Sequence, residues 1–260
     1  MKIKEVVAAL ERFAPLPLQE SYDNAGLQVG VTEADVSGAL LCLDVTEAVV
    51  DEAVATGCNL IVSHHPLLFH GLRRVSDEDY VQRTVVKAIQ KGVAIVSMHT
   101  NMDNAMNGVN FMMARKIGLS GVRFITREAR EAGHGSGVVG RLDEPLVAGD
   151  FISLLRKVFN PGSVRCNQPL LRRISTVALC GGAGSFLLCE AVRCGADAFV
   201  TGEMHYHEFF GHEQEIQIAV IGHYESEQYT SEIFKTIIEE ECPGVEAHIA
   251  RTNTNPIIYM

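Results

Sequence analysis

The stretch Leu40–His65, LLCLDVTEAVVDEAVATGCNLIVSHH, decides the fold. It opens and closes on short apolar runs that suit buried strands, Ala39 to Leu43 and Leu60 to Val62. Between them, Thr46 to Thr56 carries apolar residues at helical spacing, so the stretch reads as strand, helix, strand. Working downstream, a helix is expected around Tyr80 to Gln90 and another strand over Val93 to Met98. Upstream, Ile3, Val6, Val7 and Leu10 mark a helix over Ile3 to Phe13, stopped by Pro15 and Pro17. Strands alternating with helices imply an α/β protein with mainly parallel sheets flanked by helices.

The pattern returns after residue 170. Residues 178–203, ALCGGAGSFLLCEAVRCGADAFVTGE, align without gaps at a constant offset of 138, matching Leu41 with Leu179, Cys42 with Cys180, Glu52 with Glu190, Gly57 with Gly195 and Val62 with Val200. A second block, IVSMHTNMD (95–103), aligns with AVIGHYESE (219–227) at an offset of 124, setting His99 against His223 and Asp103 against Glu227. Any two strand–helix–strand units share Val, Ala and Gly at such places, but the coincidence of polar pairs argues for an internal duplication into two similar lobes. The polar segment Thr126 to Gly137 suits a linker, which puts the lobes at 1–128 and 129–260. The lobe that the C-terminal tail joins is not readable.

Composition narrows the function classes. A chain of 260 residues with 47% hydrophobic content buries a sizeable core. Its net charge of -10 opposes attraction to phosphate backbones, and nucleic acid is not an expected partner. No run reaches the roughly 20 apolar residues of a membrane-spanning helix, and Met1 to Phe13 lacks an apolar secretory core, so a cytoplasmic protein is expected. The seven cysteines form no Cys-x-x-Cys pair and read as reduced, buried small hydrophobes.

Four polar clusters follow apolar runs directly: His64 and His65; His99 and Asp103; Glu203 with His205 and His207; His223 with Glu227. Strand ends of this kind share the carboxyl edge of a parallel sheet, where ligands of open α/β sheets gather. Pro66 biases His65 towards extended geometry in a loop, which lets adjacent imidazoles serve two ions. His223 and Glu227 share a helical face if a helix starts near Tyr224. His64, His65, Asp103, His223 and Glu227 are therefore the expected ligands of two divalent ions, in a site at the carboxyl edge between lobes. Imidazole and carboxylate without thiolate suit zinc, iron, manganese or nickel alike. Five ligands for two ions leave positions for water, which becomes a nucleophile near neutral pH. His99 is expected to orient a ligand through a hydrogen bond rather than to coordinate. Glu203, at the duplicate position of His65, is expected to face the cavity. His205 and His207 read as a solvent-facing edge, and His70, His134, His212 and His248 as ordinary polar residues. The GGAGS turn, with Gly181, Gly182, Gly184 and Ser185, follows a strand and precedes a helix, and is a candidate cradle for a phosphate-bearing small molecule. A plain tight turn explains it equally well.

Taken together, SYDNAGLQVG, IVSHHPLLF, MHTNMD, GGAGS, TGEMHYHE and GHYESE resemble the Ngg-one-interacting-factor-three family of dinuclear metal proteins, whose members are often called GTP cyclohydrolase 1 type 2 homologues. The resemblance covers nearly the whole chain. It implies a two-lobed α/β fold in which residues matching His65 and Asp103 hold one ion, those matching His64 and His223 the other, and the one matching Glu227 bridges. It also implies a ring-shaped homohexamer. One departure is Tyr22, where members usually have Trp. The expected activity is metal-dependent hydrolysis, with ring opening of GTP and formate release as the specific form, Glu227 central, and His99 or Glu203 moving protons. The rival is a non-catalytic metal-storage, metal-delivery or interaction scaffold; a DNA-binding ring is disfavoured by charge.

Overall fold

The computed structural model describes residues Met1–Met260. In chain order the elements are α1 (Ile3–Phe13), β1 (Gly26–Val29), β2 (Ala39–Cys42), α2 (Glu47–Ala55), β3 (Leu60–Ser63), α3 (Tyr80–Lys91), β4 (Ala94–Ser97) and α4 (Thr100–Asn104). There follow α5 (Val109–Ile117), β5 (Ser120–Phe124), α6 (Arg127–Ala132), β6 (Val138–Leu146), α7 (Ala148–Phe159), β7 (Arg165–Cys166) and β8 (Ile174–Cys180). The chain ends with α8 (Leu188–Arg193), β9 (Ala198–Thr201), β10 (Gln217–Val220), α9 (His223–Glu227), α10 (Thr230–Glu241) and β11 (Ala247–Ile249). No helix is long and apolar enough to cross a membrane.

Two compact units result. The first comprises Met1–Ala105 with Thr230–Pro256, the second Met106–Tyr229 with Ile257–Met260. The division therefore falls at residue 105 rather than at 128, because Thr126–Gly137 is not a linker. Thr126 caps α6 by accepting from the Ala129 N–H, Ala129 is buried, and Gly133 ends the helix in left-handed geometry at φ 77°. The flanking strands β5 and β6 pair with each other, which fixes the segment inside the second unit. The C-terminal segment returns to the first unit through β11, which pairs with β2.

In the first unit the sheet order is β1-β4-β3-β2-β11. All its pairs are parallel except β1 with β4. The strands β2, β3 and β4 are buried throughout, which explains their unbroken apolar character. One face, with Leu40, Cys42, Ile61 and Ile95, packs on Val49, Val50 and Ala53 of α2 and on Val85 and Ala88 of α3. Both helices start on side-chain caps: Thr46 accepts from Val49 N–H, Asp79 from Gln82 N–H.

The second sheet, ordered β5-β6-β8-β9-β10-β7, is mixed rather than mainly parallel. Only β8, β9 and β10 run parallel; β5, β6 and β7 join antiparallel. Alternating residues of the parallel strands feed two cores. Val177, Leu179, Ala198, Val200 and Ala219 pack with α5 and α7, while Ala178, Cys180, Phe199, Ile218 and Val220 pack with α8.

Each unit thus holds three parallel strands joined by helices. Leu41 stands opposite Val62, and Leu179 opposite Val200, which keeps the offset of 138 in strand register. The offset of 124 does not survive. Val62 faces Val96 while Val200 faces Ala219, an offset of 123, so His223 enters its helix one residue later than strand register would place a counterpart of His99.

Truncating Phe199, which is fully buried at the centre of the second sheet, removes an aromatic core side chain. Phe199→Ala should cost about 3–5 kcal/mol of unfolding free energy, measured by urea denaturation.

Candidate metal centre

The parallel strands of the first unit end side by side, in register at Cys42, Ser63 and Ser97. The residues immediately beyond them, Asp44, His64, His65 and His99, consequently gather at one carboxyl edge. His64 is wholly buried, and its Nδ1 lies 2.9 Å from the Met98 carbonyl oxygen. A carbonyl only accepts, so His64 carries a proton on Nδ1 and turns Nε2 the other way. His65 Nδ1 lies 2.7 Å from Asp44 Oδ1, and His99 Nδ1 lies 2.7 Å from Asp23 Oδ1. All three imidazoles are held through Nδ1 by an oxygen acceptor, the arrangement that fixes the tautomer of metal-ligating histidines and leaves Nε2 to coordinate.

The three rings cluster tightly, with centroids 4.9, 5.2 and 5.4 Å apart, and a ring nitrogen of each lies within 4.8 Å of the others. Asp103, on the first turn of α4, places Oδ1 3.7 Å from His64 Nε2. This donor set fits a divalent ion of the borderline class. His99 is held in the same manner as His64 and His65 and stands with them in a group whose spacing could hold an ion.

The orienting carboxylates are themselves anchored. Asp23 accepts from the Thr100 N–H at 3.0 Å and from the Thr100 hydroxyl. Burial alone would raise its pKa, but the hydrogen bonds from His99 and Thr100 outweigh it and pull the carboxyl down to about 2. Asp44 accepts from Thr254 Oγ1 at 2.8 Å. Burial again opposes ionisation, and the hydrogen bond and charge of His65 with the Thr254 hydroxyl reverse it, leaving the pKa below the usual carboxylate range. Asp23 and Asp44 were not picked out from sequence, although Asp23 lies in the SYDN loop and Asp44 just past a strand end.

In the second unit, α9 begins at His223, and Glu227 lies one turn on. His223 Nε2 is 3.1 Å from Glu227 Oε2, while its Nδ1 is 3.0 Å from Glu203 Oε1. Glu203 therefore stands to His223 as Asp44 stands to His65. One Glu203 oxygen thus holds the His223 ring in orientation. Glu227 is 4% exposed. Gly182, at φ 56°, packs so closely on it that a Cβ there would collide with its Oε1. His207 packs against the Tyr206 and Phe210 rings, consistent with a surface edge.

The glycine amides of the GGAGS turn, the candidate anion cradle, find their acceptors within the protein. Gly181 N–H donates to Asn110 Oδ1, Gly182 N–H to Ser226 Oγ and Gly184 N–H to Thr201 Oγ1, at 2.9, 2.9 and 3.1 Å. The Ser185 hydroxyl donates to Glu208. Gly181 and Gly182 pack closely against Glu227, and the three glycine amides are already engaged.

The family model Duf34/NIF3 (NGG1p interacting factor 3) matches residues 1–256. The chain belongs to the DUF34/NIF3 family. Among curated members, it is 31% identical over 232 residues to a GTP cyclohydrolase 1 type 2 homolog of Clostridium acetobutylicum, covering 87% of this chain and 85% of that one. It is 28% identical over 262 residues to one of Lactococcus lactis, covering 98% of each. A hypothetical protein of Staphylococcus aureus solved by crystallography superposes with a TM-score of 0.91 at 28% identity, over 100% of this chain and 99% of that one. A Bacillus cereus protein related to NIF3 gives 0.89 at 22% identity, over 100% and 99%, which bears on the fold alone.

Two predictions follow from this geometry. Asp23 has a folded pKa near 2 against an ordinary 3.8, so it stabilises the fold above about pH 4, and that contribution is lost as pH falls through 2. In chelator-treated protein, Asp23→Asn should cost roughly 1–2 kcal/mol at pH 7 and converge with the parent near pH 2, read by urea unfolding. Gly182→Ala should displace Glu227, cutting metal content while leaving the far-UV circular dichroism unchanged.

Proposed function

We propose that this protein binds two divalent metal ions through His64, His65, Asp103, His223 and Glu227, and that it is a metal-dependent hydrolase. The observation that carries the reading is the common way in which His64, His65, His99 and His223 are held by Nδ1 with Nε2 directed away. His212 is also held by Nδ1, on Glu215 at 2.8 Å, but only these four lie in groups of donors spaced to hold an ion. The ions themselves supply Lewis acidity and lower the pKa of bound water towards neutrality.

The chain's own residues do the rest. Asp23, Asp44 and Glu203 hold their imidazoles by Nδ1 in one orientation, with Nε2 directed away from the carboxylate. The Met98 carbonyl does the same for His64 from a buried backbone position. With Glu203 engaged by His223, its free carboxylate oxygen is the group placed to take a proton from substrate. The name borne by the curated relatives supports a GTP cyclohydrolase activity, in which the purine ring is opened and formate lost. A homohexamer in the cytoplasm, by family resemblance, is part of the same proposal.

Purified protein should carry two equivalents of metal by elemental analysis. His65→Ala and Glu227→Gln should each lower that content. Incubation with GTP should release formate from the parent at a rate that Glu227→Gln reduces at least a hundredfold. Metal binding without formate release from any purine nucleotide would leave a storage or scaffold protein and remove the hydrolase.

A further inference from the structure

The second unit contains a cavity of about 260 Å³, walled by the carboxyl ends of its parallel strands, the 202–205 loop and the C-terminal residues Ile257 and Tyr259. Its polar lining is Ser163, Arg165, Ser185, Glu203, His205 and His223. Of these, Ser185 is committed to Glu208, and Glu203 is turned to His223. Arg165 is not committed. Its guanidinium has no carboxylate within ion-pairing distance and only rests 6.0 Å from the Phe209 ring. In a chain with 32 acidic residues against 22 basic ones, an arginine at a cavity wall without an acid partner is notable. By contrast, Arg172 in the same unit is tied to Asp197.

The position of Arg165 is set by backbone pairing rather than by a mobile loop. β7 joins β10 with Arg165 opposite Val220, the last residue of the strand that leads into Gly222 and His223. The cation is therefore fixed at the same carboxyl edge as His223 and on the same cavity wall. The opposite side is fixed by the tail: Gly162 lies so close to the Tyr259 ring that no Cβ fits between them. The volume corresponds to about nine waters at roughly 30 Å³ each, room for a phosphate group and a small organic body.

We propose that this cavity is an anion pocket in which Arg165 binds a phosphate group of the substrate, setting which molecules are accepted at His223. The inference deepens the hydrolase reading and rests on it for the word substrate. A planar guanidinium presents paired N–H donors that match two phosphate oxygens, and a partly enclosed site strengthens that pairing over bulk water. The engaged glycine amides leave this recognition to the side chain.

The test is isothermal titration of zinc-loaded protein with inorganic pyrophosphate, repeated on chelator-stripped protein, with zinc content measured for each sample. Arg165→Ala should weaken binding at least tenfold in both forms, and Arg165→Lys should recover part of the loss, with zinc content and circular dichroism unchanged. Arg165 is exposed on an edge strand, so neither variant threatens the fold. Equal affinity of parent and Arg165→Ala, or affinity that vanishes with the metal alone, overturns the pocket, as does failure of the parent to bind at all. If the parent takes up no zinc, the metal reading fails while the stripped-protein titration still decides the pocket.

Discussion

Every part of the candidate centre depends on one constraint, the occupation of histidine Nδ1 by a fixed acceptor. A neutral imidazole has two tautomers and a free ring rotation, and only one combination presents a lone pair where an ion can use it. Here the acceptors are a backbone carbonyl for His64 and carboxylates for His65, His99 and His223. Asp23 and Asp44 are in turn pinned by Thr100 and Thr254, so in the first unit the chain of hydrogen bonds runs from strand ends out to helix and tail. The sheet supplies the platform, but the acceptors decide which atom faces outward.

The glycines around Glu227 follow from the same logic applied to an anion. A carboxylate that is 4% exposed is costly to desolvate without cationic partners, and His223 offers only a partial one when neutral. The protein nonetheless brings backbone against it, giving up side chains at Gly182 and directing Asn110, Thr201 and Ser226 to the turn's amides rather than to an external ligand. Such tight confinement of a charge is reasonable where a doubly charged cation is the intended neighbour.

Much of this was legible in sequence, because strand ends followed by His, Asp or Glu announce a carboxyl edge whatever the order of the strands. The helices over Ile3–Phe13, Glu47–Ala55 and Tyr80–Lys91 and the strands between them follow their apolar periodicity closely. What escaped was set by pairing partners that composition does not record. Thr126–Gly137 has a linker's polarity but is a capped helix between paired strands. The antiparallel joining of β5, β6 and β7 leaves no mark distinguishing them from parallel strands in single sequence. Asp23 and Asp44 look like ordinary loop acids until their partners are known, and GGAGS looks like a phosphate loop until its amides are followed to their acceptors.

One topological device appears in both units and explains how residues remote in sequence reach the edge. Beside the third parallel strand each sheet adds an antiparallel strand: β1 beside β4 and β7 beside β10. An antiparallel strand begins where its parallel neighbour ends, so its N-terminal side is delivered to the carboxyl edge automatically. In the first unit Gly26 stands opposite Ser97, and the loop just before it carries Asp23 to His99. In the second, Arg165 stands opposite Val220, three residues before His223. A parallel strand in either place would bring its N-terminus to the far edge, over 10 Å away at about 3.3 Å per residue across four residues. The direction of two short edge strands therefore determines that an acid supports one imidazole and a cation flanks another.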